Sequence, residues 1–122
     1  MIGKVPTTAL MRVLIDVAAE RERQEELLVK GKFPWSCDNT GISDVSKLAV
    51  LAEEFGEAAK EAAQIQELYD RKGVDSFQLD ARRAKLRAEL IQVAAVAAGW
   101  CEALDAQHAA YLATQPKEAG NE

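Results

Sequence analysis

The sequence predicts an all-α fold, a bundle of three or four long helices completed by oligomerisation. Three observations carry that expectation. Apolar residues recur at the i, i+3, i+4, i+7 spacing of a helical face in three separate stretches. No stretch sustains the period-two alternation of a half-buried strand. The stretches are rich in alanine and hold no internal proline, so nothing in them opposes helix. A chain of 122 residues with 48% apolar and 29% charged residues fits one domain around one core,. That domain is expected over residues 1–113, with a flexible tail over 114–122.

The first helix starts at Thr7 or Thr8, either of which can cap it, and carries Leu10, Val13, Leu14, Val17 and Ala18 on one face,. It is expected to run to about Lys30, where Gly31 stops it. The segment KFPWSCDNTGISD gathers Pro34, Asn39, Gly41 and short polar residues that favour turns, and forms the one substantial loop,. Asp44 or Ser43 caps the second helix, whose apolar stripe is Val45, Leu48, Ala52, Phe55, Ala59 and Ala62 and whose stop is Gly73,. After a short GVDSF connection, Leu79, Leu86, Leu90, Val93, Ala97 and Leu104 mark a third stripe that reaches toward Ala113, with Gly99 as a point of interruption. The tail TQPKEAGNE has no apolar residue beyond alanine and is expected to fray,.

Charge narrows the function classes. With a net charge of −5 and no run of Lys and Arg, the chain lacks the phosphate contacts that dominate affinity for nucleic acid polymers,. An acidic protein that handles phosphates needs a cation between itself and them. No segment approaches the roughly 20 apolar residues of a membrane span, and the apolar stretch near the N-terminus reads as too short, and too quickly followed by charge, for a signal peptide. Cys37 and Cys101 lack the spacing of a zinc set and read as reduced thiols, so the expected location is the cytoplasm,.

The stretch LAEEFGEAAKEA places Glu53, Glu54, Glu57 and Glu61 within about a third of a helix circumference, opposite Leu48, Phe55 and Ala59,. Such a strip is ordinarily the wet side of an amphipathic helix. Here, however, Glu53, Glu57 and Glu61 repeat one sign at i, i+4, which costs a few tenths of a kcal/mol per pair. Ala49, Gly56, Ala58 and Ala63 flank the strip and let another helix approach. A divalent cation would convert the repulsion into coordination. On the third helix, Glu89 and Gln92 stand three residues apart beside the apolar stripe, facing a neighbour. Two helices that each present oxygen donors at i and i+3 can enclose a hard cation such as Mg²⁺.

These residues carry a resemblance. KLAVLAEEFGEAAKE followed by LRAELIQVAAVAAGW resembles the paired-helix signature of the MazG-like all-α nucleotide pyrophosphohydrolases, EExxE followed at a distance by ExxD. Glu53, Glu54 and Glu57 complete the first element; the second is Glu89 with Gln92 where the family pattern has Asp. ERERQEELLVKGKFPW resembles the family's upstream segment, so the likeness spans roughly residues 20 to 105.

The resemblance implies hydrolysis of a nucleoside triphosphate, often a deoxy or non-standard one, to the monophosphate and pyrophosphate with Mg²⁺, or with Mn²⁺ in its place. It implies Glu53, Glu54, Glu57 and Glu89 as the catalytic group and Glu54, Glu57, Glu89 and Gln92 as metal donors. Glu53 is either a further ligand or the group that orients the attacking water. An amide at Gln92 removes one charge while keeping an oxygen donor. The site is then either a variant compensated by Glu53 or Glu61, or a weakened one.

For the substrate, Trp35 can stack on a base or anchor its loop on the core, and Asp38 can read a base or sugar or make a turn. Lys60 and Lys85 are the expected phosphate contacts, with Lys47, Arg82 and Arg83 as further basic residues. His108, the only histidine, lies far from the acidic pairs, and Trp100 belongs to the core or a subunit interface. Three long helices give too little cross-section to bury all their apolar residues, which points to a homodimer or homotetramer. The competing functions are a non-catalytic helical interaction module and a nucleotide sensor that has lost turnover.

Overall fold

The computed structural model describes residues 5–71 and 73–116, and these form three α-helices and no strand: α1 (Thr8–Val29), α2 (Asp44–Asp70) and α3 (Ser76–Thr114). Short side chains cap all three starts. Thr7 Oγ1 accepts from Leu10 N at 3.1 Å, Ser43 Oγ from Ser46 N at 3.1 Å and Asp75 Oδ1 from Gln78 N at 2.7 Å, each satisfying a backbone donor that the helix leaves free,. Ser76 and Phe77, expected in the connection, therefore open α3.

Gly31 ends α1 with φ 76°, and around it Lys32 N donates to Leu27 O and Gly31 N to Leu28 O, the paired bonds of a Schellman stop,. Gly73, with φ 81°, stands just beyond α2. The expected tail divides: Thr114 is the last residue of α3, Gln115 caps it, and residues 117–122 lie outside the described residues.

α3 is the spine. Its 39 residues outrun the 22 of α1 and the 27 of α2, and both of those helices pack on it. α2 runs antiparallel to α3: Asp44 meets Trp100 near one end, Glu54 and Glu57 lie beside Glu89 in the middle, and Gln64 meets Arg82 near the other. α1 runs the other way, with Asp16 paired to Arg87 and Arg21 to Glu102.

α3 is continuous through Gly99, contrary to the expected interruption, and the glycine serves packing instead. A Cβ there would stand 3.2 Å from Arg21 Cζ, so the missing side chain lets the guanidinium lie against the α3 backbone. Arg21 is then held by Glu102 (2.9 Å from Nε), Glu25 (3.2 Å) and Asp38 (3.4 Å), which ties α1, the loop and α3 together.

The face that α2 turns to α3 also differs from expectation. The predicted apolar stripe is open, with Val45 78%, Leu48 53% and Phe55 62% exposed. A second seam, Lys47, Leu51, Glu54, Ala58, Glu61, Ile65 and Leu68, is turned inward at alternating steps of four and three,. Ala58 on this seam meets a small-residue stretch of α3, where Ala95, Val96, Gly99 and Ala103 are buried. Small side chains on both helices allow close backbone approach, and that approach draws the half-buried Glu54 and Glu61 toward α3. Leu90 and Leu104 of the third stripe remain exposed, as do Leu10, Met11, Val13, Leu14 and Ile15 of α1.

Candidate metal centre and the adjoining cavity

Glu54 and Glu57, one turn apart on α2, and Glu89 on α3 each offer a carboxylate oxygen, and the three atoms lie within 4.8 Å of one another. Two further facts show that this cluster is under electrostatic load. Among the described residues, Glu54 Oε2 and Glu89 Oε2 are buried with no hydrogen-bond partner, as is Glu61 Oε1 one turn beyond Glu57 on α2. Burial, and then the neighbouring charges of Glu57, Glu89, Glu53 and Glu20, push the Glu54 carboxyl above its ordinary value of 4.5,. Glu89 moves the same way, through burial first and then through Glu57 and Glu61.

Buried carboxylate oxygens without donors are costly, and a hard cation satisfies them where a soft one would not. The donor set is entirely oxygen, with no His or Cys in it, which fits Mg²⁺ or Mn²⁺,. Glu61 is partly engaged already, since Arg82 Nη1 stands 3.5 Å from its Oε1, too far for a good hydrogen bond but within ion-pair range,.

Beside this cluster opens a cavity of about 310 Å³. Phe33, Pro34 and Trp35 of the loop and Val50 and Val96 of the helices supply apolar walls. Glu54 belongs both to its lining and to the carboxylate cluster, so the two features are continuous. Glu53 and Gln92 line it as well, as do Glu20, Arg23 and Gln24 of α1. Arg23 forms a two-pronged pair with Glu20 at 2.8 and 2.5 Å, and Gln24 Nε2 donates to Glu20 at 3.4 Å.

The expected site residues fall into three groups. Glu54, Glu57 and Glu89 come together. Glu53, Gln92 and Trp35 line the cavity, and Glu53 does not join the carboxylate cluster. Asp38, Lys60 and Lys85 do neither. Asp38 faces Arg21 and the Ser36 hydroxyl; burial would raise its carboxyl, but the Ser36 hydrogen bond, Glu25 and the Arg21 charge together hold it below its ordinary 3.8. Lys60 and Lys85 are exposed side chains outside the cavity lining.

Glu20, Arg23 and Gln24 were not singled out from the sequence. Their i, i+3, i+4 spacing on one face of α1 was the available signal, in the ERERQ segment of the upstream resemblance,. Lys47 is fully buried, its Nζ is without a partner, and its charge acts on the buried Cys37. Cys37 and Cys101 are both free thiols. His108 is exposed and stacks with Tyr111 at 6.3 Å, away from the cluster.

No protein-family model matches the chain, and neither does any curated protein or solved structure. Among the described residues, no helix is long and apolar enough to cross a membrane.

Proposed function

We propose that this chain is a divalent-metal-dependent nucleoside triphosphate pyrophosphohydrolase of the MazG-like kind. The observation that carries the reading is the convergence of Glu54, Glu57 and Glu89 within 4.8 Å at the edge of a cavity walled by Trp35. Carboxylates of two helices beside an apolar pocket suit a ligand that is anionic at one end and flat and apolar at the other. A nucleoside triphosphate, with a ribose or deoxyribose sugar, has that shape.

In this reading Glu54, Glu57 and Glu89 hold the cation. Mg²⁺, or Mn²⁺, would supply charge neutralisation for the triphosphate and a lowered pKa for the attacking water. Glu53, exposed at the cavity rim, would orient that water as it approaches the α-phosphorus. Attack there breaks the α–β bridge bond and releases pyrophosphate and the monophosphate. Arg23 is the cationic side chain of the cavity lining, and it is paired there with Glu20. The acting form is a cytoplasmic homodimer or homotetramer, in which a second copy covers the apolar faces of α1 and α2.

The test is a screen of ribo- and deoxyribonucleoside triphosphates for pyrophosphate release with Mg²⁺ and with Mn²⁺, using Glu57→Gln as the control. Glu57→Gln keeps shape but removes a charge, and turnover is expected to fall by orders of magnitude with the fold intact. Wild-type turnover in that variant would reject the assignment. Metal-dependent thermal stabilisation without pyrophosphate release would point to a nucleotide sensor, and no response to metal at all would leave a helical interaction module.

A further inference from the structure

We infer that Gln92 is a specificity residue that reads the edge of the nucleotide's base, and not a ligand of the metal; this rests on the pyrophosphohydrolase reading above. Three observations lead there. Gln92 lies one turn beyond Glu89 on α3, yet it lines the cavity while Glu89 does not. Its neighbours in that lining are Trp35, Val50 and Val96, together with the rims of Glu53 and Glu54. Glu54 belongs both to the carboxylate cluster and to the cavity lining, and Gln92 shares that lining with it.

The second observation concerns what the amide is free to do. The cavity lining holds two side-chain amides, Gln24 and Gln92, beside a Ser36 hydroxyl already bonded to Glu25 and Asp38. Gln24 is committed at both ends: its Nε2 donates to Glu20 at 3.4 Å and its Oε1 accepts from Arg21 at 3.3 Å. Among the described residues no side-chain hydrogen bond engages Gln92, which leaves its NH₂ and its carbonyl oxygen available together.

The third is chemical fit. A cavity of about 310 Å³ lies at the small end of the roughly 300–1,000 Å³ range of small-molecule sites,. It suits a base and part of a sugar, with the phosphates extending past Glu54 to the cluster. A planar amide that offers a donor beside an acceptor pairs in two-pronged fashion with a base edge offering the complementary pair, while Trp35 covers the ring face. A carboxylate at position 92 would instead put another negative charge beside Glu53 and Glu54, and could only accept. The departure from the family's Asp is thus a change of task, from metal donor to base reader.

The test uses Gln92→Met, which keeps length and volume, and Gln92→Glu, with Glu89→Gln as comparator. Two binding measurements are made on each: Mn²⁺ affinity by electron paramagnetic resonance, and affinity for α,β-imido triphosphates of adenine, cytosine, guanine and uracil in the presence of Mg²⁺. Gln92→Met is expected to hold Mn²⁺ within about twofold of wild type while losing about tenfold or more in nucleotide affinity, the scale of one two-pronged base contact. Glu89→Gln is expected to lose Mn²⁺. Gln92→Glu, able only to accept, is expected to shift preference toward edges rich in donors, the N1–H and amino group of guanine and the amino groups of adenine and cytosine, and away from uracil, whose single N–H stands between two keto oxygens. Loss of Mn²⁺ in Gln92→Met to the extent seen in Glu89→Gln would overturn the inference, as would an unchanged base preference in Gln92→Glu. If wild type binds the analogues with a base preference that Gln92→Glu shifts, but releases no pyrophosphate from the triphosphates, the hydrolase reading fails and the role of Gln92 stands. If wild type binds none of the analogues, both fail.

Discussion

At the scale of single residues, two kinds of buried charge strain the fold in opposite ways. Lys47 is fully buried and its Nζ has no hydrogen-bond partner among the described residues, so the folded state bears the cost of its desolvation,. Lys47→Met keeps the length of the chain and removes the charge. It is expected to stabilise by about 1–3 kcal/mol in chemical denaturation, and a destabilised variant would show that the ammonium is satisfied in solution. Glu54 and Glu89 strain the fold through carboxyls whose folded values lie above the ordinary 4.5. The sign follows from linkage: a raised folded value means that the folded state binds protons the unfolded state has released. Stability is then fully present below the unfolded value and is lost as pH rises through the raised folded ones. The metal-free protein is therefore expected to gain a contribution to its melting temperature near pH 4.5 that is lost toward neutral pH, and saturating Mg²⁺ is expected to flatten that slope,. Glu89→Gln removes one of the two titrations and part of the slope; an unchanged slope would mean that Glu89 is not the source. Asp38 acts oppositely, since its value is held below 3.8, and its contribution is lost only in stronger acid.

At the scale of helices, glycine separates what is packed from what is open. Gly56 on α2 has nothing within 4 Å of a built Cβ, whereas at Gly99 on α3 the Cβ would meet Arg21 Cζ at 3.2 Å. Replacing a helical glycine by alanine gains about 1 kcal/mol from backbone entropy where space allows. Gly56→Ala is expected to gain it in the monomer. Gly99→Ala is expected to lose stability, because Arg21 is held by Glu102, Glu25 and Asp38 and cannot retreat without loosening them. In an Arg21→Ala background, Gly99→Ala is expected to become favourable, so the coupling in a double-mutant cycle reads the contact directly. Equal effects of Gly99→Ala with and without Arg21 would rule the clamp out. Helix ends were legible in the sequence because caps and stops are local: Thr7, Ser43 and Gly31 act through neighbours two to four residues away. Helix faces were less legible. α2 carries two seams, one of Val45, Leu48 and Phe55 and one of Leu51, Ala58 and Ile65, and which of them meets α3 depends on the small residues of α3, far away in sequence. The acidic cluster survived that uncertainty since Glu54 belongs to the second seam. The share of the site that α1 contributes was hidden for the same reason, because Glu20, Arg23 and Gln24 reach the cavity only through the packing of α1 on α3.

At the scale of the whole molecule, apolar surface is distributed as though a layer were missing. The buried apolar residues are small, Cys37, Ala58, Ala95, Val96 and Ala103, while large ones stand open on all three helices, among them Leu14 46%, Ile15 60%, Leu48 53%, Phe55 62% and Leu90 49% exposed. At about 25 cal/mol per Å² of apolar surface, faces of this kind on a folded chain favour covering by protein. The occupant we expect is a second copy, since two identical apolar helices can meet across a two-fold axis with each stripe serving both partners. Gly56, open in a single chain, would then allow close approach near that axis, and the gain from Gly56→Ala would turn into a loss at concentrations where the chain associates. Phe55→Glu tests the idea more directly. It places a charge in the middle of the α2 stripe, away from the face that carries Glu54 and Ala58, so α2 can still pack on α3. Light scattering at micromolar concentration is expected to report a dimer or tetramer for wild type and a smaller species for Phe55→Glu. Circular dichroism is expected to retain helix in both, with a lower melting temperature in the variant because association adds stability by mass action. A wild-type monomer under these conditions would leave the open stripes without a second copy to cover them, and the oligomer would have to be abandoned.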